Sequence, residues 1–558
     1  MVSEKHVHNV EAAKADANML EYREGADWNV DAELELMEIQ LAEADKIKPW
    51  LSIEVNFTKP EYFTWLLVVF ASMGGLLSGL DQSLISGANV YMPTDLGLTS
   101  SRSSLVDSAM PLGAVGGALL LSPVNESVGR RNAIMVACFL YTVGAALEAG
   151  AINFAVMMVG RLVLGAGLGL EGGTVPVYVA ECVSSNLRGR LVSLYQFNIA
   201  LGEVLGFAVA AIFINVKGGW RYILGSSLIF STIMWIGLVY LPESPRFLLH
   251  KGKTVEAYSI WKRIRDINQM EAKLEFFSMK QSADEERIEE SRAKGRMTWL
   301  DFFTVPRCRR AIVYANIMIF LGQFTGVNAI LYYMSVLMNQ IGFSKTNGVF
   351  MSLVGGGAIL LGTIPALLWV DKTGRRFWAI VTLPGFFIGL LLVGFSYLIP
   401  ISNLPAAEGC YLTGMILYMG FFGSYACLTW VIPAEVYPTY LRSYGMTTSD
   451  AMLFFCAFVV TYNFTRMQEA MSRIGLTLGF YGGIAVLGWF YQILFMPETK
   501  DKTLEEIDIV FSQPTGELVR QNLHNSVETM KDLAHLRFRK VAFGEEPVKT
   551  KEEAEEQA

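Results

Sequence analysis

Charged side chains are scarce in this chain, and those present are unevenly placed. Asp, Glu, Lys and Arg make up 17% of the 558 residues, against roughly 25% in an average soluble protein. The net charge of −7 comes largely from polar tails and one central polar stretch. Because no basic cluster forms a footprint for nucleic acid, we expect no nucleic-acid partner.

Cysteines are also few, and their positions show no paired spacing. We therefore expect neither a disulfide framework nor a metal site built from cysteines. The sequence also lacks a nucleophile-elbow motif, a phosphate-binding loop and a cleavable signal peptide. We therefore expect neither an enzyme nor a cofactor, and we expect the first apolar helix to direct membrane insertion. The six cysteines are Cys138, Cys182, Cys308, Cys410, Cys427 and Cys456.

Long apolar runs are abundant, and each has about the ~20 residues that span a hydrocarbon core. They predict an all-α membrane protein that crosses the bilayer about twelve times. The predicted helices are 62–90, 105–122, 133–151, 154–178, 190–214, 221–241, 310–340, 346–370, 377–399, 408–432, 444–465 and 474–496.

Five regions follow from this pattern. We expect an N-terminal tail at 1–60, a six-helix bundle at 61–245, a linker with short surface helices at 246–307, a second bundle at 308–498 and a C-terminal tail at 499–558. The tail beyond 496 is partly helical by propensity, and 545–558 is expected to be disordered.

Arginine and lysine cluster on one side of the predicted membrane. Loops 149–153 and 400–407 on the other side carry neither residue. Since cytoplasmic loops are enriched in these residues, both termini are expected in the cytoplasm. The positive side holds the linker and Arg130, Arg131, Arg188, Arg190, Lys372, Arg375, Arg376 and Arg442.

The two apolar halves repeat one another. A Glu-x6-Arg spacing occurs at Glu181 and Arg188 and again at Glu435 and Arg442, with an offset of 435 − 181 = 442 − 188 = 254 residues. Two further pairs keep nearly this offset, which indicates an internal duplication in the same order. They are Gly-Arg-Arg at 129–131 and 374–376, and Pro-Glu-Ser/Thr at 242–244 and 497–499.

The conspicuous ionisable residues inside the predicted spans are Asp81, Arg161, Glu171 and Glu203. Each costs about 2.5–3.5 kcal/mol at a helix centre, so each is a candidate functional group. Glycines near Asp81 and Arg161 would let their helices approach closely enough for the two to pair. The pair could be a static ion pair. Alternatively, the arginine could set the pKa of the carboxylate, as a proton-coupled carrier requires.

A second set of polar residues could bind a neutral solute. Gln196 and Glu203 are spaced i, i+7 and share a helix face. Amides both donate and accept hydrogen bonds, as a ring of hydroxyls requires, and Trp430 offers a flat apolar face. Taken singly, these residues are equally explained by helix packing. The amides and phenols of the seventh span are Gln323, Asn328, Tyr332 and Tyr333.

The ordered motifs resemble those of sugar porters of the major facilitator superfamily, most closely the fungal monosaccharide and polyol permeases. The resemblance covers about residues 60–510 and implies two six-helix bundles. Its motifs are Asp81 with Ser86-Gly87, Gly129-Arg-Arg131, Gly160-Arg161, Pro176-Val-Tyr-Val-Ala-Glu181 to Arg188-Gly189, Gln196, Pro242-Glu-Ser-Pro-Arg246, Gln323-Phe-Thr-Gly-Val-Asn328 to Tyr332-Tyr333, Asp371-Lys-Thr-Gly-Arg-Arg376, Trp430 to Glu435 and Arg442, and Pro497-Glu-Thr-Lys500.

The resemblance implies roles for matching residues. Asp81 with Arg161 corresponds to the proton-accepting pair of proton-coupled members, and Gln196, Gln323, Asn328, Tyr332 and Trp430 correspond to sugar contacts. A network of charges on the cytoplasmic side would tie the halves together when the carrier faces outward; positive-inside topology is the simpler explanation of its arginines. The network comprises Arg130, Arg131, Glu181, Arg188, Asp371, Arg375, Arg376, Glu435 and Arg442.

Some positions depart from the family pattern. Gly322 stands where an amide is common, Ala426-Cys427 replaces Gly-Pro, and Leu453-Phe454 replaces Asn-Trp. Because several of these positions are expected at the pocket, glucose cannot be assumed as the substrate. A more apolar pocket that carries the Glu203 carboxylate would suit a pentose, a linear polyol or myo-inositol.

We therefore expect proton-coupled import of a neutral sugar or polyol across the plasma membrane by alternating access. The expected partners are this solute, protons and the lipid bilayer. One alternative is a membrane-embedded sugar sensor, although about sixty residues after Pro497 make a short signalling tail. A second alternative is an exporter of a small metabolite.

Overall fold

The computed structural model describes residues 37–41, 60–182, 188–265, 270–292, 298–438, 441–500, 504–535 and 537. Within these ranges the regular structure is helical and contains no strand. The terminal segment 545–558, for which disorder was expected, lies outside the described residues.

The described part of the first half contains six long helices. A short helix, Leu121–Val128, continues the second of them at a bend of 50°, and Gly219–Gly225 precedes the sixth. The six are α1 (Pro60–Ala88), α2 (Ser100–Leu119), α3 (Arg130–Ala149), α4 (Phe154–Cys182), α5 (Arg188–Phe213) and α6 (Ser227–Tyr240).

The second half repeats this order with two broken spans. The seventh span is interrupted after Gln323, where Gly326 has a φ of 92° that favours glycine. The helices are α7 (Pro306–Gln323), α8 (Val327–Ile341), α9 (Lys345–Thr373), α10 (Arg375–Ser396), α11 (Leu404–Val436), α12 (Arg442–Ile474), a π-helical turn (Gly475–Tyr481) and α13 (Gly482–Phe495).

The described residues contain eleven apolar segments if the bent pair counts as one span. The last of them, Arg442–Phe495, has 54 residues, and a straight helix of that length would reach about 80 Å. This is far more than the roughly 30 Å hydrocarbon core. The chain reverses at Ser472, whose backbone is non-helical (φ 62°, ψ 164°), so the segment is two spans. The prediction of about twelve helices is confirmed.

Glycines set the close approach of helices in the first half. A side chain on Gly79 of α1 would collide with the carbonyl of Ile199 in α5, and one on Gly202 would collide with the carbonyl of Leu76. Gly169 of α4 meets the carbonyl of Ala114 in α2 in the same way. Backbones this close place polar residues of different helices within direct reach of one another.

The linker is more ordered than the short surface helices that its sequence predicted. Besides Pro245–His250, Thr254–Ile264 and a short helix at Asp301–Thr304, it contains Met270–Arg292, a helix of 23 residues. Its few apolar positions converge, because Tyr258, Trp261, Phe276 and Phe277 form a small core with Met37 of the N-terminal tail. We call the side of the molecule that carries these helices the linker side.

Two polar contacts tie the N-terminal tail to this linker core. Glu38 accepts hydrogen bonds from Lys262 at 2.9 Å and Tyr258 at 3.4 Å. The hydrogen bond and charge of Lys262 hold the pKa of Glu38 below its usual range.

The C-terminal tail is helical where it is described, at Leu504–Ser512 and Thr515–Ala534. Asn522, which is buried, donates to the carbonyls of Leu494 at 2.9 Å and Met496 at 3.1 Å. The second tail helix therefore caps carbonyls at the end of α13, which would otherwise lack partners.

Candidate functional site

A cavity lies between the two halves of the molecule. Its volume is about 60 Å³. On the same measure one water molecule needs roughly 10–15 Å³, so the cavity is of a size that suits a small polyhydroxylated molecule. All five predicted solute contacts line it. Its lining includes Ser78, Gln82, Tyr195, Gln196, Glu203, Gln323, Asn328, Tyr332, Ala426, Thr429, Trp430, Leu453 and Phe454.

The amides of the cavity are held in fixed orientations. Trp430 donates from Nε1 to Oε1 of Gln196 at 2.9 Å, a contact that joins the two halves. Asn328 donates from Nδ2 to Oε1 of Gln323. Tyr195 packs edge-on against the Trp430 ring at 5.1 Å. Because each amide carries two N–H donors and an oxygen with two lone pairs, capacity remains for solute hydroxyls.

Glu203 adds a carboxylate to this otherwise neutral lining. It lies on the same face of α5 as Gln196, as the i, i+7 spacing predicts, and is 3% exposed. Its Oε2 has no hydrogen-bond partner among the described residues. A buried acceptor without a partner is costly, so a solute hydroxyl that donates to it would stabilise the complex.

A buried cluster of charges lies beside the cavity. Arg161 is 2.6 Å from Oδ1 of Asp81 and 3.6 Å from Oε2 of Glu148, and all three side chains are at most 3% exposed. The structure thus brings Asp81 and Arg161 together and adds Glu148, which the sequence analysis missed. The sequence feature that could have indicated Glu148 is its position as an acid near the end of the predicted span 133–151. Two carboxylates facing one guanidinium leave one negative charge, which a proton can neutralise.

The cavity is closed on both sides by contacts between the halves. On the side opposite the linker, Ser86 donates to Ser335 at 3.2 Å and Ser104 lies 3.5 Å from Thr465. On the linker side, the hydroxyls of Ser122 and Ser443 are 3.1 Å apart. The structure is therefore an occluded state, and a solute can enter or leave the cavity only after one side opens.

The first-half charge network is built on a glycine turn. Gly129 adopts a φ of 92° between Leu121–Val128 and α3, which places Arg130 3.1 Å from Glu181. Glu181 also accepts from the hydroxyl of Ser244. Glu243, at the end of α6, accepts from the backbone N–H of Arg131 at 3.0 Å.

The second half repeats this arrangement. Gly374 has a φ of 95°, and Arg375 lies 2.8 Å from Glu435 and 3.1 Å from Asp371. Thr499 donates to Glu435 at 2.7 Å, in the place that Ser244 has in the first half. Glu498 accepts from the backbone N–H of Arg375 at 3.0 Å. The repeat therefore extends from the motifs to their hydrogen bonds.

Each of these ion pairs joins helices of one half, so the tie between the halves in the outward-facing state stays a prediction. The Glu435 carboxylate lies against Arg375 and Thr499. Arg131 and Arg376 donate mainly to backbone carbonyls, Val239 and Ile493 among them. The Arg188 side chain lies outside the described residues. Glu243 and Glu498 are network members that the sequence analysis passed over, although both belong to the repeated Pro-Glu motif.

Three of the unusual positions, Ala426, Leu453 and Phe454, line the cavity. Gly322 does not. A Cβ atom added there would lie 2.7 Å from Cε1 of Tyr425, whose hydroxyl is held by Met318 and Gln492, each at 3.2 Å. The glycine therefore accommodates a fixed ring and does not remove a solute contact.

Replacing Gly322 with Gln should destabilise the protein without improving hexose recognition. Overpacking against a ring that cannot move costs about 1–3 kcal/mol. Thermal unfolding of the detergent-solubilised protein measures this, with Gly116→Gln as the control because a Cβ at Gly116 meets no atom within 4 Å. Equal unfolding temperatures for both variants would contradict the assignment.

Comparison with known proteins agrees with this geometry. Residues 67–511 match the family model of the sugar (and other) transporters. The chain is 63% identical over 519 residues to the myo-inositol transporter FST1 of Gibberella moniliformis, covering 92% of this chain and 90% of the relative. It is 31% identical to myo-inositol transporter 1 of Cryptococcus neoformans var. grubii, covering 85% of each.

A solved structure shares the fold. The major facilitator superfamily proton:xylose symporter XylE, bound to 6-bromo-6-deoxy-D-glucose, aligns with a TM-score of 0.70 and 25% identity, covering 81% of this chain and 100% of that one. The family match over most of the chain, the twelve-helix fold and the occluded central cavity agree with one another. This protein therefore belongs to the sugar transporter family of the major facilitator superfamily and is a multi-pass membrane transporter.

Proposed function

We propose that this protein imports myo-inositol, or a closely similar cyclic polyol, together with protons across the plasma membrane by alternating access. The observation that carries this proposal is the occluded cavity in which amides, an indole and the Glu203 carboxylate lie next to Asp81, Arg161 and Glu148. The linker side would face the cytoplasm, with both termini there.

The chemistry of the cavity favours a cyclitol. myo-Inositol has a hydroxyl on every ring carbon and no ring oxygen, so each of its oxygens can donate a hydrogen bond. The Glu203 carboxyl group has two oxygens that can accept hydrogen bonds and can therefore bridge two neighbouring hydroxyls. The Trp430 ring would pack against the C–H face. The names of the two relatives, both myo-inositol transporters, support the same substrate.

The charge cluster supports proton coupling. Arg161 holds Asp81 at 2.6 Å, and any movement of α1 against α4 would lengthen this ion pair. Separation raises the proton affinity of Asp81 because a neighbouring positive charge is what favours its ionised form. Solute binding and protonation then become linked. The solved structural neighbour, a proton:xylose symporter, supports this mode.

Uptake of labelled myo-inositol, hexoses, pentoses and linear polyols in transporter-deficient cells tests the proposal. We expect myo-inositol to accumulate and the accumulation to collapse with a protonophore. Absence of uptake for every solute would instead favour a sensor. Release of preloaded solute against its gradient would favour an exporter.

Glu203→Gln should weaken myo-inositol recognition more than hexose recognition. The change keeps the size of the side chain but replaces one carboxyl oxygen with an amide nitrogen that cannot accept, and an unsatisfied buried group costs about 1–3 kcal/mol. Apparent affinity for myo-inositol should fall roughly 10- to 100-fold. Competition between labelled myo-inositol and unlabelled solutes measures the change, with Glu469→Gln, an exposed position on α12, as control. An equal loss for all solutes would count against a selective contact.

A further inference from the structure

Glu171 and Asp450 are buried carboxylates that lie outside the solute cavity and the Arg161 cluster. Glu171 lies in α4 of the first half and Asp450 in α12 of the second half, and they are 1% and 3% exposed. None of their four carboxyl oxygens has a hydrogen-bond partner among the described residues. We call Glu171 and Asp450 the seam acids, because Asp450 reaches across the boundary between the halves.

Glycines make room for both seam acids. A Cβ atom on Gly172, next to Glu171 in α4, would lie 3.0 Å from Oδ1 of Asp450. A side chain on Gly74 of α1 would coincide with the carboxylate of Glu171. Gly74 therefore leaves open the space that the Glu171 carboxylate fills, and Gly172 lets the Asp450 carboxylate approach α4 closely.

The seam acids lie between the solute cavity and the linker-side closure. Asp450 is seven residues beyond Ser443, which contacts Ser122, and is thus about 10 Å deeper along α12. Tyr195 lines the cavity and interacts electrostatically with both Glu171 and Asp450. One aromatic residue therefore separates the solute from the seam acids.

No described cation faces the seam acids. The titratable groups that face them are Tyr195 from α5 and, near Glu171, Cys138 from α3. Arg161 precedes Glu171 by ten residues, about 15 Å along α4, and is paired with Asp81 and Glu148. An unpaired buried carboxylate costs several kcal/mol when ionised. In the occluded state the seam acids are therefore neutral and hold protons.

We propose that Glu171 and Asp450 form a second proton-binding site, which releases one proton to the linker side in each transport cycle. When the halves separate there, α4 and α12 part and water reaches the carboxyls. The O–H bond of one carboxyl then breaks and water takes the proton. The carboxylate takes up another proton when the linker side has closed and the cavity is open to the opposite side. This inference rests on the proposed proton-coupled function.

The expected ligand is a proton rather than a metal ion. Among the described residues no group of three or more His, Cys, Asp or Glu side chains could hold a metal. Alkaline-earth cations take about six or more oxygen ligands, and the two seam acids supply at most four.

The zero-current potential of membranes containing the protein tests the proposal. One proton per neutral solute predicts a shift of about 59 mV for each tenfold change in the solute gradient, and two protons predict about 30 mV. We expect about 30 mV for the parent with myo-inositol as solute. A value of about 59 mV for the parent overturns this inference but leaves the proposed function intact.

Two variants locate the second proton. Glu171→Gln and Asp450→Asn keep the shape of the protonated acids but cannot ionise, so the variant at the acid that releases the proton should return the shift to about 59 mV. Glu469→Gln on α12 should leave it at about 30 mV. A shift of about 30 mV in both seam variants overturns the assignment, as does a parent shift that changes when choline replaces sodium. A parent that takes up myo-inositol without proton current overturns the inference and the proposed coupling together.

Discussion

Asp81→Asn should abolish accumulation of solute against its gradient while leaving exchange of labelled for unlabelled solute. The amide resembles protonated Asp81 in size and hydrogen bonding, but it cannot release a proton. The ion pair with Arg161 at 2.6 Å is lost, while Glu148 still faces the guanidinium at 3.6 Å, so the buried positive charge keeps a partner. Counterflow and proton-current measurements in proteoliposomes separate the two activities.

Asp95→Asn is the matched control for this prediction. Asp95 is exposed outside the cavity. Its carboxylate accepts a hydrogen bond from Nε1 of Trp220 at 2.9 Å, which an amide oxygen can accept equally well. The control should concentrate solute like the parent. If Asp81→Asn also concentrates solute, Asp81 is not a coupling group and the proton path runs through other acids.

Arg375→Ala should shift the resting protein toward the state that is open on the linker side. The variant leaves the partly buried Glu435 without its ion pair and loosens the end of α11, which carries Trp430 into the cavity. A coupling free energy of about 1–3 kcal/mol corresponds to a 5- to 150-fold change in the ratio of states. Labelling of Thr465→Cys by an impermeant thiol reagent, applied opposite the linker, should slow by that factor.

The repeat supplies an internal check on this second prediction. Arg130→Ala removes the corresponding contact with Glu181 in the first half and should slow the labelling in the same direction. Lys372→Ala removes an exposed positive charge three residues away and should have little effect. Equal labelling in all three variants would show that the network does not bias the two states.

Residues whose role depends on helix periodicity or on a repeated motif could be predicted from the sequence. Gln196 and Glu203 share a face because seven residues are nearly two helical turns, and both line the cavity. The family, the helical membrane fold and the transport function were also predicted correctly. In each case the information lies within one helix or in the order of motifs along the chain.

Features that depend on how helices rotate and meet could not be predicted. Gly322 and Gln323 are adjacent, yet one faces Tyr425 and the other the cavity. Glu148 reaches Arg161 from another helix, across thirteen residues of sequence. Asp450 lies inside the predicted span 444–465 and could have been singled out as Glu171 was, but its approach to Gly172 in the other half could not be predicted. The reversal of chain direction at Ser472 could not be predicted from a helix-breaking proline, because no proline lies near it in the sequence.

The glycine turns at Gly129 and Gly374 have a consequence for how such a protein could have arisen. Each turn, with its arginine, its two glutamates and its hydroxyl, is complete within one half. An ancestor of half the present length would therefore have carried a finished structural unit before any second copy existed. Gene duplication then needed to supply only the surface on which two copies meet. On that surface Trp430 of one half contacts Gln196 of the other, and Asp450 lies close to Gly172.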